Sequence, residues 1–224
     1  MSYRQASTTV IKRAMPKIVD SAARRAELAE AVWRVVRRAG LAHASVRNVA
    51  QEAGLSAGSL RHSFPSQTAL TVFAMRLVAE RIQARIEAID VTGDQLGVVE
   101  RSIAEMLPLD ADRLAECQVW LAFSAQSLVD PALRPLSVEM HRLLRRAFSS
   151  LVIRIAGPDV DRPLEARRLY ALVDGLILHM VLHGESPRHA RAVVKAHLAA
   201  LAATSTASSG TTALPVNIPG GRNP

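Results

Sequence analysis

The chain has 224 residues, 49% of them hydrophobic, enough to bury a substantial core. The single cysteine, Cys117, excludes an internal disulfide framework; no apolar run reaches the ~20 residues of a bilayer span, and the basic start lacks the apolar stretch and cleavage site of a secretory signal, so a cytoplasmic protein free of membrane is expected. The formal charge of +8 is uneven: residues 1–90 carry 14 Lys and Arg against 7 Asp and Glu, residues 91–224 carry 14 against 13, and a basic first part points to a polyanionic partner more readily than to a generic basic surface.

Only 4% of residues are aromatic, and the Ala, Leu and Val positions recur at helical spacing, which predicts an all-α fold of about nine helices. The first helix is expected over Arg24 to Ala39, with Leu28, Val32, Val35, Val36 and Ala39 as its apolar stripe, Trp33 packing at the flank and Gly40 as the stop. Ser45 is placed to cap a short helix whose Val46, Val49, Ala50 and Ala53 share one face, and Gly54 ends it. Ser56 caps a second short helix, closed by Phe64-Pro65 because the residue before proline leaves helical geometry. Ser66 then caps a long helix to about Ile89 carrying Leu70, Phe73, Leu77, Val78, Ile82 and Ile86.

The second short helix has very little to bury. Leu55 and Leu60 serve as inward anchors, while Ser56, Ala57, Ser59, Arg61 and His62 are left to face outward. Such a helix suits the major groove, where the recognition helix must be short, polar and close to the DNA backbone. Gly58 costs ~1 kcal/mol in a helix interior relative to Ala, which makes sense where another backbone approaches closely.

The run SVRNVAQEAGLSAGSLRHSFPSQTAL, preceded by RRAELAEAVWRVVRRAG, resembles the DNA-binding domain of TetR-family transcriptional repressors. The likeness rests on Ser45, Val46, Val49, Ala50, Ala53, Gly54, Leu55, Ser56, Gly58, Leu60, Phe64, Ser66 and Leu70 at fixed spacings. It implies a DNA-facing set of Ser45, Arg47, Ser56, Ala57, Ser59, Arg61, His62 and Gln67 on a double-stranded operator. Two positions depart from the family pattern. Arg61 stands where the family has tyrosine and Gln67 where it has lysine, both positions that touch phosphate in the family. Arg61 either restores a phosphate contact, the favoured role, or reads a guanine through a bidentate pair.

Five further helices are expected to begin near Asp94, Asp112, Pro131, Asp161 and Pro187. The stretch ECQVWLAFSAQSLVDPALRPL is similar to the regulatory half of the choline-responsive repressor branch of the family. Met106, Trp120, Phe123, Met140 and Phe148 are large apolar residues on the helices that surround the effector pocket in the family; singly, each also reads as plain core. Asp174 and His179 are polar groups in an otherwise apolar helix and need partners, a structural hydrogen bond being the favoured role for Asp174, while His179 joins the candidate ligand set. His179 and His183 share a helical face, but with no carboxylate or cysteine beside them a metal site is not supported. Leu164 to Leu182 is apolar nearly all round, so its helix, about Leu164 to His183, is expected with Pro187 to Ala203 to pack against a second subunit, as the family's last two helices do across a two-fold axis.

The expected organisation is a basic N-terminal arm over residues 1–23, a helix-turn-helix domain over 24–68, a ligand-binding and dimerisation domain over 69–203, and a Ser-, Thr-, Gly- and Pro-rich disordered tail over 204–224. Arg4, Lys12, Arg13 and Lys17 form either an arm on DNA or a solvated tail. No phosphate loop, catalytic triad, CxxC or paired-carboxylate motif is present, so no catalytic residues and no cofactor are expected. The reading is a dimeric, ligand-responsive repressor, with activation open as a variant and a helical adaptor whose basic face binds a protein as the rival.

Overall fold

A computed structural model of the chain describes residues 18–207, so the arm residues Arg4, Lys12, Arg13 and Lys17 and the tail from residue 208 lie outside the described residues. Nine α-helices and no strands are found among them. α1 (Ile18–Ala39) begins six residues before the expected start, inside the span read as an arm, and α9 (Pro187–Ala207) runs four residues into the span read as a tail. Between them lie α2 (Val46–Glu52), α3 (Ala57–Ser63), α4 (Gln67–Glu87), α5 (Gln95–Ala104), α6 (Ala111–Val129), α7 (Arg134–Ile155) and α8 (Arg162–His183).

Helix starts follow side-chain caps, each oxygen satisfying an N–H that the first turn leaves without a partner. Ser45, Ser56, Ser66, Asp94 and Asp161 accept from amides two or three residues on. α6 starts before the expected Asp112: its cap is Asp110, which accepts from the Arg113 amide at 2.8 Å, while Asp112 pairs with Arg37 of α1 at 3.0 Å. Pro131 opens a short 3-10 turn, Pro131–Leu133, and α7 follows at Arg134.

The apolar positions form two cores. The first joins α1 to α4 with α6 and the start of α7, and α1 gives it Leu28, Ala31, Val32, Trp33, Val35 and Val36. Ala39, expected on that stripe, is exposed because the chain turns away at Gly40, whose φ of +79° no longer continues the helix. The second core joins α5, α7, α8 and α9 with Cys117 of α6. α4 crosses the domain boundary expected at residues 68–69, and its Ile82 packs against both cores. The helix that leaves the α2–α3 unit is therefore also a wall of the second half.

The turn between α2 and α3 depends on Gly54, whose φ is +66° and whose neighbour Leu55 donates its N–H to the Ala50 carbonyl at 2.9 Å. A Cβ there would meet nothing within 4 Å, so the whole cost of a side chain is left-handed backbone strain. Gly54→Ala is expected to lower unfolding free energy by about 1 kcal/mol in urea titrations, with an unchanged slope.

Candidate nucleic-acid interface and cavity

α2 and α3 are each seven residues long, too short to persist alone, and are held by burial on one side and caps at one end. Val49, Ala50 and Leu60 are buried and Leu55 partly so, which fixes both helices on α1 and α4. The Ser45 hydroxyl accepts from the Asn48 amide at 3.2 Å and that of Ser56 from the Ser59 amide at 3.0 Å. The two serines expected at the interface are therefore caps as well, with Ser56 exposed and Ser45 half-buried.

Arg47, Ala57, Gly58, Arg61 and His62 are exposed, and the side chains of Arg47, Arg61 and His62 make no hydrogen bond or ion pair among the described residues. Ser59 differs from expectation. It is half-buried, and its hydroxyl accepts from Arg24 Nη2 of α1 at 2.9 Å, so it ties α3 to α1 rather than facing freely outward. Gln67 is exposed as expected and in addition donates from Nε2 to the Ala44 carbonyl at 2.9 Å, pinning the start of α4 to the residue before the Ser45 cap. Glu52 at the end of α2 is held by Arg34 at 2.8 Å and Arg38 at 2.9 Å, contacts that lower its carboxyl below the usual range and offset its charge.

A cavity of about 220 Å³ lies between α4, α6, α7 and α8. Four of the expected residues line it: Met106, Trp120, Met140 and Phe148. Phe123 does not; three residues beyond Trp120 it points into the first core, fully buried. His179 does not either. It is exposed on α8, where its ring meets that of His183 edge-on at 5.8 Å. Tyr170, absent from the expected set, stacks on Phe148 at 5.1 Å and lies within 3.3 Å of His141 Nδ1 through its hydroxyl.

Four acidic or weakly acidic groups, Glu116, Cys117, Tyr170 and Asp174, line the cavity in different states. Glu116 is held by Arg85 through both oxygens, which raises the arginine's pKa further. Burial pushes the Cys117 thiol up to about 12, and its Sγ donates to the Met106 carbonyl at 3.4 Å. Asp174 lacks the structural hydrogen bond expected of it: among the described residues its carboxyl has no hydrogen-bond or ion-pair partner, and burial pushes it up to about 6. The negative charge of Asp174 in turn adds to the burial that raises the Tyr170 hydroxyl to about 12. The sequence signal for this was a lone aspartate in a helix apolar nearly all round.

Residues 97–203 match the family described as BetI-type transcriptional repressor, C-terminal. The chain is 41% identical over 175 residues to the HTH-type transcriptional regulator PksA of Bacillus subtilis, an alignment covering 75% of this chain and 83% of that one. This chain belongs to the TetR family of transcriptional regulators. Among solved structures, a transcriptional regulator from Rhodococcus sp. Rha1 superposes with a TM-score of 0.70 at 27% identity, over 81% of this chain and 97% of that one. The multidrug binding protein EbrR, solved with ethidium, superposes with a TM-score of 0.59 at 28% identity, over 78% and 98%. The TetR-family assignment makes the exposed helix-turn-helix a DNA-binding unit, and the adaptor reading falls away. Among the described residues no helix is long and apolar enough to cross a membrane.

The raised carboxyl of Asp174 has a signed consequence. Folded chains hold its proton up to about pH 6 whereas unfolded chains release it near 3.8, so its contribution makes stability fall as pH rises through that window and level off above it. Asp174→Asn is expected to raise the thermal midpoint at about pH 7.5, with the gain shrinking toward zero near pH 4, read by circular dichroism melts across that range.

Proposed function

We propose that this regulator is a homodimeric repressor that binds a pseudo-palindromic operator through α3 and is released when a small molecule occupies the cavity. The bare outward face of α3 carries the reading. A Cβ on Gly58 would meet only the Ser56 hydroxyl oxygen, at 3.9 Å, so nothing inside the protein requires glycine there. The space it leaves open belongs to an approaching molecule, and the charge around it, from Arg47 and Arg61, suits phosphate.

Dimerisation is supported by α8, which exposes Leu164, Leu178 and Leu182 along one face, Leu182 at 61%. With α9 beside it, this face suits a second copy, and a two-fold dimer matches an operator of two half-sites. For the effector, the cavity offers apolar walls, the rings of Trp120, Phe148 and Tyr170, and the unpaired carboxylate of Asp174. That chemistry suits a cation with an apolar body, in keeping with the ethidium and proflavin bound by EbrR. Occupancy releases DNA to the extent that the effector binds the DNA-free conformation more tightly. The role is regulatory, without catalysis, and is carried out in the cytoplasm.

The test is selection of genomic fragments by the purified protein, followed by anisotropy titrations at several salt concentrations. Enriched fragments with paired half-sites and a steep salt dependence are expected, and binding no tighter than to random duplex would overturn the reading. Arg61→Ala is expected to weaken all operators alike and to reduce the logarithmic salt slope by about 1. A loss confined to one base pair would instead assign Arg61 to base readout.

A further inference from the structure

Arg81 lies where the cavity wall, α4 and α1 meet. Glu116 lines the cavity yet is only 2% exposed, and its carboxylate is the centre of an ionic cluster. Arg85 donates to its two oxygens and to Glu105 at 2.9 Å, and Arg113 approaches Glu105 at 3.3 Å. Arg81 holds Glu116 more loosely. Its Nε lies 3.4 Å from Oε1 of Glu116, and that buried N–H makes no hydrogen bond among the described residues. The same guanidinium lies 4.4 Å over the Trp33 ring of α1, with Glu30 of α1 at 3.8 Å.

α1 holds both helices of the reading unit. Arg24 donates to Ser59 of α3, and Arg34 and Arg38 clamp Glu52 of α2. A change in the seat of Trp33 is therefore a change in the helix from which α2 and α3 are held. Taking the effector-cavity reading as its basis, the geometry points to Arg81 as the link between cavity and DNA-reading unit. An occupant that displaces Glu116 alters the pairing of Arg81, the guanidinium shifts on Trp33, and α1 carries the shift to α2 and α3. The buried N–H lacking a hydrogen bond favours this position for a switch: a small movement of Glu116 either completes that bond or breaks the ion pair. Met75 and Val78 offer a competing, purely apolar route, since both line the cavity and belong to the first core. The two routes differ in whether charge at position 81 matters.

Tetraphenylphosphonium, an apolar cation too bulky to intercalate between base pairs, serves as the probe, and the quantity read is the ratio of operator Kd with saturating probe to operator Kd without it. Allosteric coupling spans roughly 5- to 150-fold, and Arg81→Met is expected to bring the ratio below about 2 while the probe Kd of the DNA-free protein stays within about threefold of the original. Arg81 does not line the cavity, so loss of packing at the site would not produce that split. Arg81→Lys keeps the charge without the planar stack and is expected to give an intermediate ratio. An unchanged ratio in Arg81→Met overturns the link.

A wild-type protein whose operator binding ignores the probe speaks against the effector reading, and the link is then judged without ligand. Glu116→Gln and Arg81→Met, singly and together, are measured for operator affinity. A linked pair departs from multiplicative behaviour by about threefold or more, and independent effects would overturn the proposal.

Discussion

A helix that keeps one face free for another molecule has only its other face and its ends with which to hold itself in place. α3 is seven residues long and anchors itself through Leu60, which is fully buried, and through Phe64 at its close. Burying one leucine contributes about 2 kcal/mol, too little to fix an orientation. The remaining restraint is polar and comes from outside the helix: the Ser56 cap, the Gly54 turn and the Arg24 contact to Ser59. Position and angle of the reading unit are thus set largely by α1. The length of α1, 22 residues, suits that task, since one helix packs on α2, α4 and α6 and reaches Ser59 of α3 through Arg24.

The same economy explains where charge is spent. Exposed ion pairs at the surface contribute little, and most arginine–carboxylate contacts here are of that kind. Glu105 is half-buried between Arg85 and Arg113, and Glu116 goes further, buried among Arg81, Arg85 and the cavity wall, where removing one partner would strand the others in a poor solvent. Its cluster sits beside Ile82, the residue common to both cores. Apolar packing and buried charge therefore meet at one turn of α4, and the two halves of the molecule are coupled there by contacts that are specific in direction.

What the sequence made legible was local. The caps at Ser45, Ser56, Ser66, Asp94 and Asp161 were readable because a cap and its amide are two or three residues apart. Asp110 and Asp112 compete for the same role, and the choice is made by Arg37, far away in sequence, which draws Asp112 to α1. Ser59 was assigned outward from the pattern of its helix and Gln67 toward DNA from the family resemblance, yet their hydrogen-bond partners, Arg24 and Ala44, lie 35 and 23 positions away. Trp120 and Phe123 are alike in composition and differ by most of a helical turn, so one faces the cavity and the other the core. The missing partner of Asp174 was hidden for the same reason: a hollow is a property of four helices at once, and no single helix carries its signature.

Cys117 shows what the cavity is not built to sense. Its thiol belongs to the second core, donates to a backbone carbonyl, and has its ionisation pushed up to about 12. At neutral pH it is almost wholly protonated, and the thiolate is the form that attacks peroxides and electrophiles. The only sulfhydryl in the chain is thus kept chemically quiet while forming part of the wall. Under the proposed effector role, a molecule in this cavity is registered by shape and charge and leaves as it came, so the response is reversible at the rate of dissociation and needs no reductant to reset it.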